Sequence, residues 1–78
     1  MAAEANPPLV IIRRREVERR TGLGRSSIYA RIRPSPTRPN DFDPTFPKPV
    51  AIGGRAVGWI AAEVDAWIAA QAAKRPQG

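Results

Sequence analysis

The stretch TGLGRSSIYARIRP, residues 21–34, decides how the chain is read. Gly22 is a helix stop, Ile28 and Ile32 stand one turn apart, and Pro34 forbids a helix from running past Arg33. The spacing predicts a short helix from Gly24 or Arg25 to Arg33, about 13 Å long. Just before it, residues from about Arg14 to Thr21 predict another, with Val17 and Thr21 on one face and a Glu16 to Arg20 pair at i,i+4. Gly22 closes that helix as a C-cap. Two short helices joined by a Gly-containing turn of three or four residues form a helix-turn-helix.

Working outward, Leu9 to Ile12 is a β-branched run that reads as an extended lead-in or a minor strand, and residues 1–8 read as a disordered tail. Pro34 to Pro47 holds five of the nine prolines together with Asn40, Asp41 and Asp43, and predicts a loop. PKPVAI, Gly53 and Gly54, then RAVGW predict a β-hairpin of wing size, with Val50 and Ile52 alternating along one strand and Val57 and Trp59 on the inner face of the other. Ala61 to Lys74 predicts a longer helix, its apolar stripe made by Ile60, Val64, Trp67, Ile68 and Gln71, with Pro76 closing it. The expected fold is mainly α with a small β-hairpin: a winged helix-turn-helix of three helices plus wing, residues 9–75, with the Pro-rich loop 34–47 inside it.

Composition narrows the chemistry. Seventy-eight residues make one domain at most, and there is neither cysteine nor histidine. That removes disulfides, the thiolate nucleophile, and the commonest general base and metal ligand. Ser26 and Ser27 lack a base to activate them, and the carboxylates Asp41 and Asp43, or Glu63 and Asp65, do not form working pairs. No catalytic residue, metal or cofactor is expected. No apolar run approaches the roughly 20 residues of a membrane span, and Glu4 stands where a signal peptide would be basic, so a cytoplasmic protein is expected, and a nucleoid-associated one if its partner is DNA.

Charge points to the partner. Of 13 cationic residues 11 are arginine, and the net charge is +6. Residues 9–38 alone carry nine arginines against Glu16 and Glu18, whereas residues 39–78 balance at four against four. The excess belongs to the helix-turn-helix, which is therefore the element expected to meet a polyanion.

A projection of the second helix at 100° per residue, its core side centred between Ile28 and Ile32, puts Ala30, Ser26, Ser27 and Arg33 farthest from the core. Tyr29 and Arg31 flank them; Arg25 falls near the core side, with a stem long enough to fan outward. A small residue at the centre would let the helix approach base edges in a groove about 12 Å wide, where Ser and Arg side chains can bond. A merely solvated helix face would mix charge signs, yet residues 25–38 hold four arginines and no acid. Arg13, Arg14 and Arg15 oppose the dipole at a helix start, a placement that phosphate contact would explain. Arg55 follows the hairpin turn and is expected to touch backbone or minor groove. Trp59 and Trp67 are expected in the core.

EVERRTGLGRSSIYARI (residues 16–32), FPKPVAIGGRAVGW (46–59) and EVDAWIAA (63–70), in that order, resemble the AlpA family of small prophage-type transcriptional regulators, relatives of excisionases with a MerR-like winged helix-turn-helix. The resemblance runs from Leu9 to about Lys74. It implies a recognition helix beginning near Arg25 and Ser26, a wing around Gly53 to Arg55 and a packing helix containing Trp67. It places Arg25, Ser26, Ser27 and Tyr29 on a DNA-facing helix, and Lys48 and Arg55 on or beside the wing. Gly24 at the helix start, Arg14 at a commonly apolar position and the long loop from Pro34 depart from the family pattern.

Residues and resemblance together predict a sequence-specific double-stranded DNA-binding regulator of prophage or mobile-element genes. Base edges would be read by Arg25, Ser26 and Ser27, and phosphates would be held by Arg13, Arg15 and Arg33. Further partners in this reading are a second copy on tandem or inverted sites, an integrase or RNA polymerase. Two alternatives stay open: an excisionase-like recombination directionality factor that bends DNA and contacts an integrase, and an adaptor that binds protein through the Pro-rich loop.

Overall fold

Arg13 has extended backbone, and its carbonyl accepts the N–H groups of Glu16 at 3.0 Å and Val17 at 3.1 Å, opening the first helix. That helix, α1 (Arg14–Thr21), follows the two-residue strand β1 (Ile11–Ile12). It ends where Gly22 adopts φ 76°, a left-handed conformation open to glycine, and donates its N–H to the Glu18 carbonyl at 2.8 Å. The Thr21 hydroxyl donates to the Val17 carbonyl and accepts the Leu23 N–H, which shapes the turn. α2 (Arg25–Ile32) then starts from an extended Gly24 and stops at an extended Arg33, the conformation that a following proline imposes.

The computed structural model describes residues 9–76; the tail expected over residues 1–8 lies outside them. A 3-10 turn at Pro39–Asp41 follows α2, then β2 (Val50–Gly53), β3 (Ala56–Ile60) and α3 (Ala61–Ala73). The sheet is antiparallel in the order β1-β3-β2. With three helices and a hairpin wing, the chain is a winged helix-turn-helix, mainly α with a small sheet.

Val17, Ile28, Trp59 and Val64 are fully buried and form the centre of the core with Ile12, Phe46 and Ala61. The Trp59 indole N–H is satisfied by the Pro47 carbonyl at 3.2 Å. Leu23, Tyr29, Ile32, Val57, Trp67 and Ile68 pack around this cluster. α3 is joined to α1 by Arg20, which donates to Asp65 while its Nε binds Glu16 at 2.9 Å.

Two local expectations change. Val50 pairs with Gly58 and Ala51 with Val57, so it is Ala51 that shares the inner face of Val57 and Trp59; an irregularity between Ala51 and Gly53, next to the positive-φ Gly53 and Gly54, sets that register. Ala30, expected at the exposed centre of α2, is only 8% exposed although it lies outside the central cluster. The loop turns back along α2 on either side of Ala30 in sequence: Arg38 reaches Ser27, and the Asp43 N–H bonds the Arg31 carbonyl at 3.0 Å. The loop also inserts Phe46, 2% exposed, into the core, with its ring edge-on to Trp67 at 4.8 Å.

Gly58 shows why one glycine belongs inside a strand. A Cβ there would lie 2.3 Å from Ile11 Cγ2 and 3.1 Å from the Ile12 carbonyl oxygen, so its absence lets β1 close on β3.

Candidate nucleic-acid interface

The helix-turn-helix and the wing bring distant arginines onto one concave surface. Arg13, Arg14 and Arg15 at the start of α1, Tyr29 from α2 and Arg55 from the hairpin turn line a cleft of about 250 Å³ floored by Val57 and Trp59. Among the described residues, no acidic side chain lines it. Tyr29 is fixed there by an edge-on contact with Trp59, ring centres 6.4 Å apart. Arg14 and Arg15 also line a neighbouring cleft that runs past Glu18 and Arg19 to Gly22, Leu23 and Gly24, at the foot of α2. Arg13 caps α1 with no side-chain hydrogen bond, so the free amides of the first turn lie beside the guanidinium groups.

Ion pairing sets four arginines apart from the rest. Arg14 binds Glu18 at 2.9 Å, Arg19 and Arg20 share Glu16, Arg20 also binds Asp65, and Arg38 binds Asp41 at 2.6 Å. The hydrogen bonds from Arg20 and Arg19 hold the Glu16 carboxyl below its ordinary value, and Glu16 in turn raises Arg20. Among the described residues, Arg13, Arg15, Arg25, Arg33 and Arg55 form no salt bridge, and all five are exposed. Their charge is uncompensated locally, which is the electrostatic condition for drawing in an anion. Arg14, grouped with Arg13 and Arg15 as an expected phosphate contact, spends its guanidinium on Glu18.

On α2, Arg25 and Ser26 are exposed, Ser27, Tyr29 and Arg31 are half-buried, and Ile28 is fully buried. Arg25 therefore sits outward, as the family resemblance implies, and not near the core side where the projection puts it. Arg31 leaves the group: its Nη1 donates to the Ser27 carbonyl at 3.1 Å, and its side chain lines a different cleft with Asp41, Asp43, Trp67 and Lys74. Lys48 is exposed before β2 and lines neither basic cleft. Arg33 is exposed at the far end of α2 from Arg25.

The loop adds a residue that periodicity does not reveal. Arg38 Nη2 donates to the Ser27 hydroxyl at 3.4 Å, which places a guanidinium against the outward side of α2. Only its membership of the acid-free run 25–38 could have drawn attention to it. Among the described residues no group of three or more acidic side chains is placed to hold a metal ion, and no helix is long and apolar enough to cross a membrane.

Comparison with known proteins gives this geometry a family. Residues 10–72 match the family model described as prophage CP4-57 regulatory protein (AlpA). The chain is 41% identical over 58 residues to the Escherichia coli K12 protein named DNA-binding transcriptional activator AlpA, covering 74% of this chain and 79% of that one. It is 40% identical over 63 residues to the uncharacterized protein ORF88 of Enterobacteria phage P4, covering 81% of this chain and 61% of the phage protein. No solved structure matches. A family match across nearly all the described residues, on a winged helix-turn-helix, shows that the chain belongs to the AlpA family of prophage regulatory proteins.

Proposed function

We propose that this protein binds double-stranded DNA sequence-specifically and regulates transcription of prophage or other mobile-element genes. One observation carries the reading: Arg13 and Arg15 at the start of α1 and Arg55 from the hairpin turn, free of salt bridges among the described residues, line one cleft with Tyr29 of α2, and no described acidic side chain lines it. The relative named as a DNA-binding transcriptional activator supports it.

In this reading α2 lies in the major groove, where Arg25, Ser26 and Ser27 meet base edges. Arg13, Arg15 and Arg55 hold the phosphates that flank the groove, with α1 amides adding donors and Arg33 a contact at the far end. Tyr29 closes the cleft as a half-buried wall. Backbone contacts set register, and α2 supplies discrimination.

The test is selection of duplexes from a random pool, followed by titration at several salt concentrations. With about four phosphates neutralised, affinity should fall roughly a hundredfold between about 50 and 200 mM salt. A flat salt response, or a pool that yields no enriched sequence, would overturn the reading.

A further inference from the structure

Arg38 lies in the loop between α2 and β2, yet its guanidinium is positioned with more constraint than an ordinary loop side chain has. Nε donates to Asp41 Oδ2 at 2.6 Å. The two residues are held together by the 3-10 turn, where the Asp41 N–H bonds the Arg38 carbonyl at 3.2 Å and Pro39 fixes its own φ at the first position. Nη2 points to Ser27 Oγ at 3.4 Å, eleven residues earlier and on α2. The Arg38 side chain remains 42% exposed.

We infer that Arg38 is a specificity-determining residue that contacts a base edge in the same groove as Ser27, with Asp41 as its positioning residue. The inference rests on the reading of α2 as the groove-entering helix. Asp41 occupies Nε and so fixes the plane of the guanidinium. Among the described residues, Nη1 has no partner, and Nη2 keeps only a bond at the limit of useful length. Two terminal nitrogens are thus available side by side, the arrangement that guanine O6 and N7 accept as a pair.

The Asp41 carboxylate decides between base and backbone. A phosphate contact draws on net positive charge, and Arg38 with Asp41 presents nearly none; the carboxylate would also repel a phosphate brought close. A base edge, recognised through directed donors, is insensitive to that neutralisation. A purely structural brace onto Ser27 would be expected to be shorter and better shielded from water.

The experiment uses the full chain, the duplex that wild type selects from a random pool, and a mixed-sequence duplex of equal length, with binding followed by fluorescence anisotropy. Arg38→Ala should weaken the selected duplex about tenfold or more, the scale of one lost bidentate base contact, while changing the mixed duplex less than about twofold. Arg38→Lys should not restore the preference, because an ammonium cannot donate two parallel bonds. Asp41→Asn should lower the preference while leaving mixed-duplex affinity unchanged or higher. Circular dichroism melts of each variant should superimpose on wild type. Equal losses on both duplexes would make Arg38 a phosphate contact, and no loss on either would make it a brace; each result overturns the inference, as does full recovery by Arg38→Lys. Wild type binding neither duplex would instead remove the DNA reading itself and this inference with it.

Discussion

Asp43 and Trp67 clamp the Pro-rich loop to the last helix: the indole N–H donates to Asp43 Oδ2 at 3.0 Å, while the other carboxylate oxygen accepts the Thr45 hydroxyl and N–H. The backbone N–H of Asp43 meanwhile bonds the Arg31 carbonyl on α2. One acidic residue thus ties the loop to both α2 and α3.

This clamp should respond to acid. The Thr45 hydroxyl, the Trp67 indole, the Thr45 amide and nearby Lys74 hold the Asp43 carboxyl below its ordinary value of 3.8. A carboxyl lowered in the folded state stabilises fully above its unfolded value and loses that contribution as pH falls through the folded one. Wild type should therefore melt progressively earlier below about pH 4, while Asp43→Asn, weaker at pH 7 by about 1 kcal/mol, should lack that component of the acid dependence. Parallel pH dependences of Tm for the two proteins would contradict the assignment.

Phe46 is the loop's anchor in the core, so Phe46→Ala should cost about 3 to 5 kcal/mol. A domain of this size has about that much to lose, and the variant should be largely unfolded at 25 °C by near-ultraviolet circular dichroism. Phe46→Leu, nearer in volume, should retain the folded signal with a lowered Tm.

Gly58→Ala should destabilise by about 1 to 3 kcal/mol, since the added methyl meets Ile11 Cγ2 and the Ile12 carbonyl oxygen. Trimming Ile11 to Ala in the same chain should recover part of the loss in urea titrations, because the side-chain clash disappears and the carbonyl contact remains. Additive losses would show that the strand pair is not the seat of the effect.

Base and backbone roles separate in binding measurements. Arg15→Ala and Arg55→Ala should each weaken every duplex by a similar factor and reduce the salt slope by about 1. Ser26→Ala with Ser27→Ala should narrow the gap between selected and mixed duplexes and leave the slope unchanged. Identical profiles from both sets would refute the division of labour.

The helices were legible because their boundaries are local: Gly22 must end one and Pro34 must end the next, whatever surrounds them. The outward position of Arg25 was less legible from the projection, since a first-turn residue with a long stem escapes a scheme that treats all side chains as radial. Ala30 was misplaced because a projection of one helix takes no account of chain that returns alongside it, as the loop does at Arg31. Val50 changed faces because register was set by an irregularity at the Gly53–Gly54 turn, and a shift by one residue inverts a strand. Arg31 turned onto the Ser27 carbonyl, and Arg38 moved to Ser27; both are tertiary choices among several rotamers that composition leaves equally open.

β3 passes into α3 at Ile60–Ala61 with no residue between them. Inserting a single amino acid at that junction would rotate α3 by about 100° and swing Val64 out of the interior. The seam where wing and scaffold are fused therefore fixes the chain length there, because the last strand and the last helix must stay in phase.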